Sequence, residues 1–333
     1  MARFFERNPD LRVALQRVGL ALLLALSVSA ASGAEAPADG TVLDDEPCAA
    51  LPAHEELDEF GRKYFDAATW TSIRGNTSIA CRHLRYASGG VPVEGFLLLP
   101  PSAGAAQSPA ILYNRGGTGD FGRIDHLLLA EMRLLAAEGF VVAATNTRYV
   151  GPLAHRDEWG GADLDDVLNL VPLLRARADV DGRNLFMLGL SRGGLMTYLA
   201  LKRDAPIEAA AVIAGPTDLT RFIVDRPEFL LGWEGYDGWA KVWADFGEHG
   251  REILEARSPV FWPELIRKPV LILHSRTDPK VPVEAAIGLA AKLQAAGREY
   301  ELLIYGHDGH SLPLHRADRN RRIVEWFRSH RRL

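Results

Sequence analysis

Six short apolar runs constrain this chain more than any other feature: PAILYN, GFVVAATNT, NLFMLGL, IEAAAVIAG, PVLILHS and YELLIYG. Each has strand length, and none alternates apolar with polar residues. A strand of that kind is buried on both faces, which requires layers above and below the sheet. The stretches between them supply those layers. Leu164, Val167, Leu168, Val171 and Leu174 recur at helical spacing, with Pro172 expected to bend or end that helix. VPVEAAIGLAAKLQAAG is a second such stretch, with Gly297 as its stop. Strands alternating with helices predict an α/β fold with a mostly parallel, doubly wound sheet. Upstream, IACRHLRYA and VPVEGFLLL flank Ser88-Gly89-Gly90 and predict a hairpin forming an antiparallel N-terminal edge.

The start of the chain has a different character. Arg3, Arg7, Arg12 and Arg17 precede VGLALLLALSVSAA, and small residues follow near Ala34. These are the parts of a signal peptide over residues 1–34, which predicts a periplasmic or secreted protein. The apolar run is 14 residues long, against the roughly 20 that a span needs. No stable membrane span is therefore expected after cleavage, and an uncleaved anchor is the alternative. The leader carries four arginines against two acidic residues, so its loss moves the net charge from −5 to −7. A mildly acidic body gives no reason to expect a nucleic-acid partner. Cys48 and Cys81 can pair in an oxidising compartment, two unpaired thiols being the alternative. No metal-ligand spacing occurs, and no cofactor is expected.

Residues 35–78 read as an N-terminal linker and lead-in helix, and 79–333 as the main domain. Residues 217–263 interrupt its rhythm and hold four of the chain's seven Trp. They are read as a cap insertion. Part of its surface is expected to face a substrate pocket, with Trp233, Tyr236 and Trp239, and Arg115 from another loop, as lining candidates. The alternative is helices that pack those aromatics on the sheet.

Gly189-Leu190-Ser191-Arg192-Gly193 matches G-x-S-x-G, a pattern that chance supplies easily. Its context is more selective, since it follows a predicted strand and opens a predicted helix. A turn tight enough to expose a serine Oγ leaves no room for side chains two residues to either side. A serine nucleophile needs a histidine base and an orienting acid, in this fold in the order Ser, acid, His. Asp278 follows PVLILHS, and His310 follows YELLIYG. His307 is the rival base; His310 is preferred because a longer loop must reach back to Ser191. The oxyanion of a tetrahedral intermediate needs two donors. The backbone N–H of Arg192 and the loop at Gly116 and Gly117 are the candidates.

These stretches resemble the catalytic domain of the prolyl oligopeptidase family, in the α/β-hydrolase superfamily. The resemblance runs from about Arg85 to the end. It is carried by Arg115-Gly116-Gly117, Gly160-Gly161-Ala162-Asp163, Gly189 to Gly194, Ser258-Pro259, Pro269 to His274, Asp278 with Val281-Pro282, and Gly309-His310. It implies an α/β-hydrolase fold and a serine peptidase acting on a small-molecule or short peptide substrate. Nucleophile, acid and base would be Ser191, Asp278 and His310. Three departures stand out. Arg115 replaces the usual His before the paired glycines, Ser275 replaces the Gly after His274, and only about 50 residues (35–84) precede the resembling part. Those are too few for two propeller blades of roughly 40–45 residues, so the propeller's gating and amine-binding roles are not carried over. Carboxylesterase, and a catalytically inactive binding protein on the same fold, remain alternative expectations.

Overall fold

The structure, a computed structural model, describes residues 36–101 and 106–333; the expected leader lies outside the described residues. Nine strands form one sheet in the order β1-β2-β3-β5-β4-β6-β7-β8-β9. The six apolar runs are β4 (Ser108–Asn114), β5 (Val141–Thr145), β6 (Val180–Leu190), β7 (Ala209–Ile213), β8 (Val270–Ser275) and β9 (Tyr300–Tyr305). All pair in parallel with their neighbours in that set. The hairpin is β2 (Ala80–Ser88) and β3 (Val91–Leu99), antiparallel to each other, and β3 pairs antiparallel with β5. Gly89 and Gly90, at φ 56° and 78°, make its two-residue turn.

Alternate residues of each central strand feed two separate cores. Leu185 and Met187 of β6 join one, Phe186 and Leu188 the other. The first core is closed by α4 (Ala162–Leu168), α5 (Leu170–Arg175), α6 (Arg192–Lys202) and α11 (Val283–Ala295). The second is closed by α2 (Ala67–Gly75), α3 (His126–Ala137) and α12 (Arg316–Ser329). That two-sided cover is why these strands carry no polar alternation.

The amino-terminal region departs from expectation. Part of the expected linker is a strand, β1 (Val42–Pro47), paired antiparallel with β2. It is exposed along its length, and its acids meet partners across the ladder, Asp45 with Arg82 and Glu46 with His83. A polar strand of this kind has no apolar pattern to reveal it. Cys48, just past β1, is disulfide-bonded to Cys81 on β2. The lead-in is not one helix but two, α1 (Glu59–Tyr64) and α2. Asp58 and Asp66 cap them by accepting from the backbone N–H groups of Gly61 and Thr69. Each acid starts a new helix rather than continuing the last. The break between α4 and α5 falls at Asn169, three residues before Pro172. Pro172 has no N–H to donate to Leu168, and it sits in the first turn of α5, where such a donor is unpaired anyway.

The insertion comprises α7 (Leu219–Asp225), α8 (Glu228–Leu231), α9 (Trp239–Val242) and α10 (Phe246–Arg257). Its aromatics interlock with one another and with Trp159; Trp239 stacks on Trp243 at 4.8 Å between ring centres. Among the described residues, no helix is long and apolar enough to cross a membrane.

Candidate functional site

In an open parallel sheet, the loops at the carboxyl ends of the strands converge on one edge. Ser191 follows β6, Asp278 follows β8 and His310 follows β9, so the three residues singled out by sequence share that edge. Ser191 has φ 56° and ψ −121°, a backbone that a non-glycine residue seldom adopts. Its N–H donates to the carbonyl of Ile213 at 2.8 Å, which holds the turn against β7. The flanking glycines are demanded by contact. A Cβ on Gly189 would lie 2.2 Å from the carbonyl oxygen of Gly193, and one on Gly193 would lie 1.9 Å from that of Asn114.

Asp278 and His310 form a pair. Nδ1 of His310 lies 2.8 and 3.0 Å from the two carboxylate oxygens. The Asp278 side chain is fully buried, and its carboxylate also accepts from the backbone N–H of Lys280 and Val281. Burial alone would raise its pKa. Hydrogen bonds from His274 and His310 and the charge of His310 instead hold it well below the usual carboxylate range. Nε2 of His310 is buried and has no hydrogen-bond partner among the described residues, so the imidazole is tethered through Nδ1 alone. His307 is exposed, and its nearest polar contact is Thr277 Oγ1 at 3.5 Å.

Two groups that sequence reasoning missed hold the acid and histidine loops together. Ser275 donates from Oγ to the carbonyl of Asp308 at 2.8 Å and accepts from its N–H at 3.0 Å. The buried Asp308 carboxylate accepts from the backbone N–H groups of Gly309, Leu314 and His315, closing the loop that carries His310. The departure from the family pattern at Ser275 was the available signal; nothing in the sequence marks Asp308.

The remaining candidates are placed unequally. Gly116 runs beside the nucleophile's turn, and a Cβ on it would lie 3.4 Å from that of Ser191. Gly117 has φ 82° and would drive a Cβ to 2.0 Å from the carbonyl oxygen of Phe121. Arg192 is the first residue of α6, so its N–H has no intrahelical acceptor. Trp233 and Tyr236 line an open depression with His155 and Lys241. Two lining expectations need correction. Trp239 is completely buried in the aromatic cluster and lines nothing. Arg115 is 2% exposed, and its two terminal nitrogens donate to the backbone carbonyls of Gly116, Gly119, Phe121 and Asn146. It builds its own loop rather than facing a ligand. A separate cavity between α7 and α11 is lined by Phe222, Val260, Phe261 and Val281, next to the acid's loop.

A second buried cluster is built around Arg192, the residue after Ser191. The Arg192 guanidinium bonds the carboxylates of Asp157 and Asp163 through one nitrogen, with all three side chains at 2% exposure or less. Burial raises the Asp163 carboxyl to about 7, Arg192 opposing and Asp157 adding to the shift. Burial and the nearby charge of Arg192 lower Arg115 to about 10, which leaves it charged at neutral pH. Among the described residues, no group of His, Cys, Asp and Glu is arranged to hold a metal ion.

The sequence profile of the prolyl oligopeptidase family matches residues 126–332. The uncharacterized peptidase YuxL of Bacillus subtilis is 28% identical over 276 residues, which cover 78% of this chain and 40% of YuxL. The uncharacterized peptidase YtmA of the same organism is 25% identical over 249 residues, covering 73% of this chain and 91% of YtmA. Among solved structures, the acylaminoacyl peptidase of Pyrococcus horikoshii superposes with a TM-score of 0.64 at 22% identity, over 78% of this chain and 43% of that one. The chain thus spans about two fifths of YuxL and of the Pyrococcus structure, which shares its α/β-hydrolase fold.

Proposed function

The chain belongs to the prolyl oligopeptidase family, and from that premise we propose that it is a serine hydrolase of the peptidase kind that cleaves the amide bonds of short peptides through an acyl-enzyme on Ser191. Ser191 Oγ attacks the scissile carbonyl and gives its proton to Nε2 of His310. Asp278 fixes the imidazole through Nδ1 and stabilises the imidazolium that forms. The oxyanion accepts from the N–H of Arg192 and from the loop at Gly116 and Gly117. Collapse expels the amine, protonated by His310. Water then attacks the acyl-enzyme, losing its proton to the same nitrogen, and the acid product leaves with Ser191 restored.

The observation that carries this reading is the Asp278–His310 pair, bonded at Nδ1 while Nε2 is buried without a partner among the described residues. Replacement Ser191→Ala is expected to lower kcat on a peptide anilide by about 10⁴–10⁶-fold. Retained turnover would sink the mechanism. Turnover of p-nitrophenyl esters with none of matched peptide anilides would return the carboxylesterase reading, since the triad serves both leaving groups. The enzyme is also read as periplasmic or secreted. The leader pattern supports this, as does the Cys48–Cys81 disulfide, a bond that persists in oxidising compartments.

A further inference from the structure

The cluster around Arg192 joins every segment from which an oxyanion donor would come. Asp157 is the common member, and its carboxylate is completely buried. One oxygen bonds the side chain of Arg192, whose own N–H is one proposed donor. The other accepts from the backbone N–H of Gly119 at 2.8 Å, in the turn that follows Gly116 and Gly117. The carbonyl of Asp157 accepts from the Tyr236 hydroxyl at 3.1 Å, which brings in the insertion. Arg115 closes the same turn from within through the carbonyls of Gly119 and Phe121. Asp163 accepts from the same nitrogen of Arg192 and is itself held by the N–H of Gly160 at 3.0 Å.

Stability alone gives a weak reason for such a cluster. Well-packed apolar side chains often replace a buried ion pair at no loss of stability. What apolar contacts lack is direction, and an oxyanion hole depends on direction. Its two donors come from separate loops, after β4 and after β6, and must converge on one oxygen within about 3 Å. We propose that Asp157 and the side chain of Arg192 are positioning residues that set the spacing between the two oxyanion donors. This rests on the acyl-enzyme reading above.

The test uses the full chain and a matched pair of N-acyl amino-acid esters differing only in C=O against C=S. Sulfur is larger and accepts hydrogen bonds poorly, so preference for the oxo ester reports how well the donors are placed. Asp157→Asn keeps the shape and removes the charge. The variant is expected to lose about 10–100-fold in kcat with KM within about twofold of wild type, because misplacing a reacting group by about 1 Å costs on the order of 10²-fold. Its oxo-over-thiono preference is expected to shrink by about tenfold. An unchanged preference overturns the proposal, whether kcat falls or not, because a merely structural role lowers both substrates alike. Should Asp157→Asn fail to fold, Arg192→Lys, which replaces a fork by a point charge, is read by the same two outcomes. If Ser191→Ala is inactive while the positioning variant keeps the wild-type preference, only this inference falls. If Ser191→Ala stays active, the acyl-enzyme reading falls first.

Discussion

Ser191 occupies a backbone conformation that costs about 1–3 kcal/mol to hold. The surroundings that hold it are identifiable: the bond to Ile213 on one side and glycines too crowded for any Cβ on the other. Asp163 is the residue whose environment should be visible in a titration. Burial holds its carboxyl up to about 7 despite Arg192, whereas the unfolded chain ionises it near the usual value. Between about pH 4 and 7 the native state therefore keeps one proton that the unfolded state has lost. The stability this group contributes is full below about pH 4 and is lost as pH rises towards 7. Asp163→Asn cannot ionise, so its stability relative to wild type is expected to rise across that window and level off above it. Urea unfolding at a series of pH values measures this, and curves that stay parallel would refute it. Asp278 and His310 were legible in the sequence because each follows an apolar strand. Asp157 and Asp163 were not, because their meaning comes from Arg192, some thirty residues away.

Among elements, those with an apolar period were readable and those held by polar contacts were not. β1 reads as linker, yet it is tied to β2 by a ladder, cross-strand ion pairs and the disulfide. With the cysteines 33 positions apart in the chain, the entropic model assigns the bond about 3–4 kcal/mol. Cys48→Ser and Cys81→Ser should each lower unfolding stability by about that amount, and their effects should not add. Two variants with wild-type denaturation midpoints would mean that the edge holds without the bond. The insertion shows the opposite error. Its aromatics suggested a pocket; Phe222 and Phe261 line a cavity and Trp233 and Tyr236 a depression, but Trp239, Trp243 and Trp262 are buried in core. Composition does not distinguish a tryptophan that meets a ligand from one that meets another tryptophan.

At the scale of the whole molecule, the leader pattern predicts that protein recovered outside the cytoplasm begins at or near Glu35. Sequencing its amino terminus tests this, and exported protein that keeps Met1 would make the segment an anchor. The sequence by itself determined the doubly wound sheet, the turn at Ser191, and the positions of Asp278 and His310 just past two later strands. All of these follow from local periodicity and from the sterics of a few neighbouring residues. Only the tertiary structure decided which charges are buried together around Arg192, that Ser275 and Asp308 bind the acid loop to the histidine loop, and that Arg115 and Trp239 face inward. The physical reason is range. A strand or a tight turn is set by residues a few positions apart, whereas a buried ion pair or a packed ring depends on distances between segments that meet only once the sheet has formed.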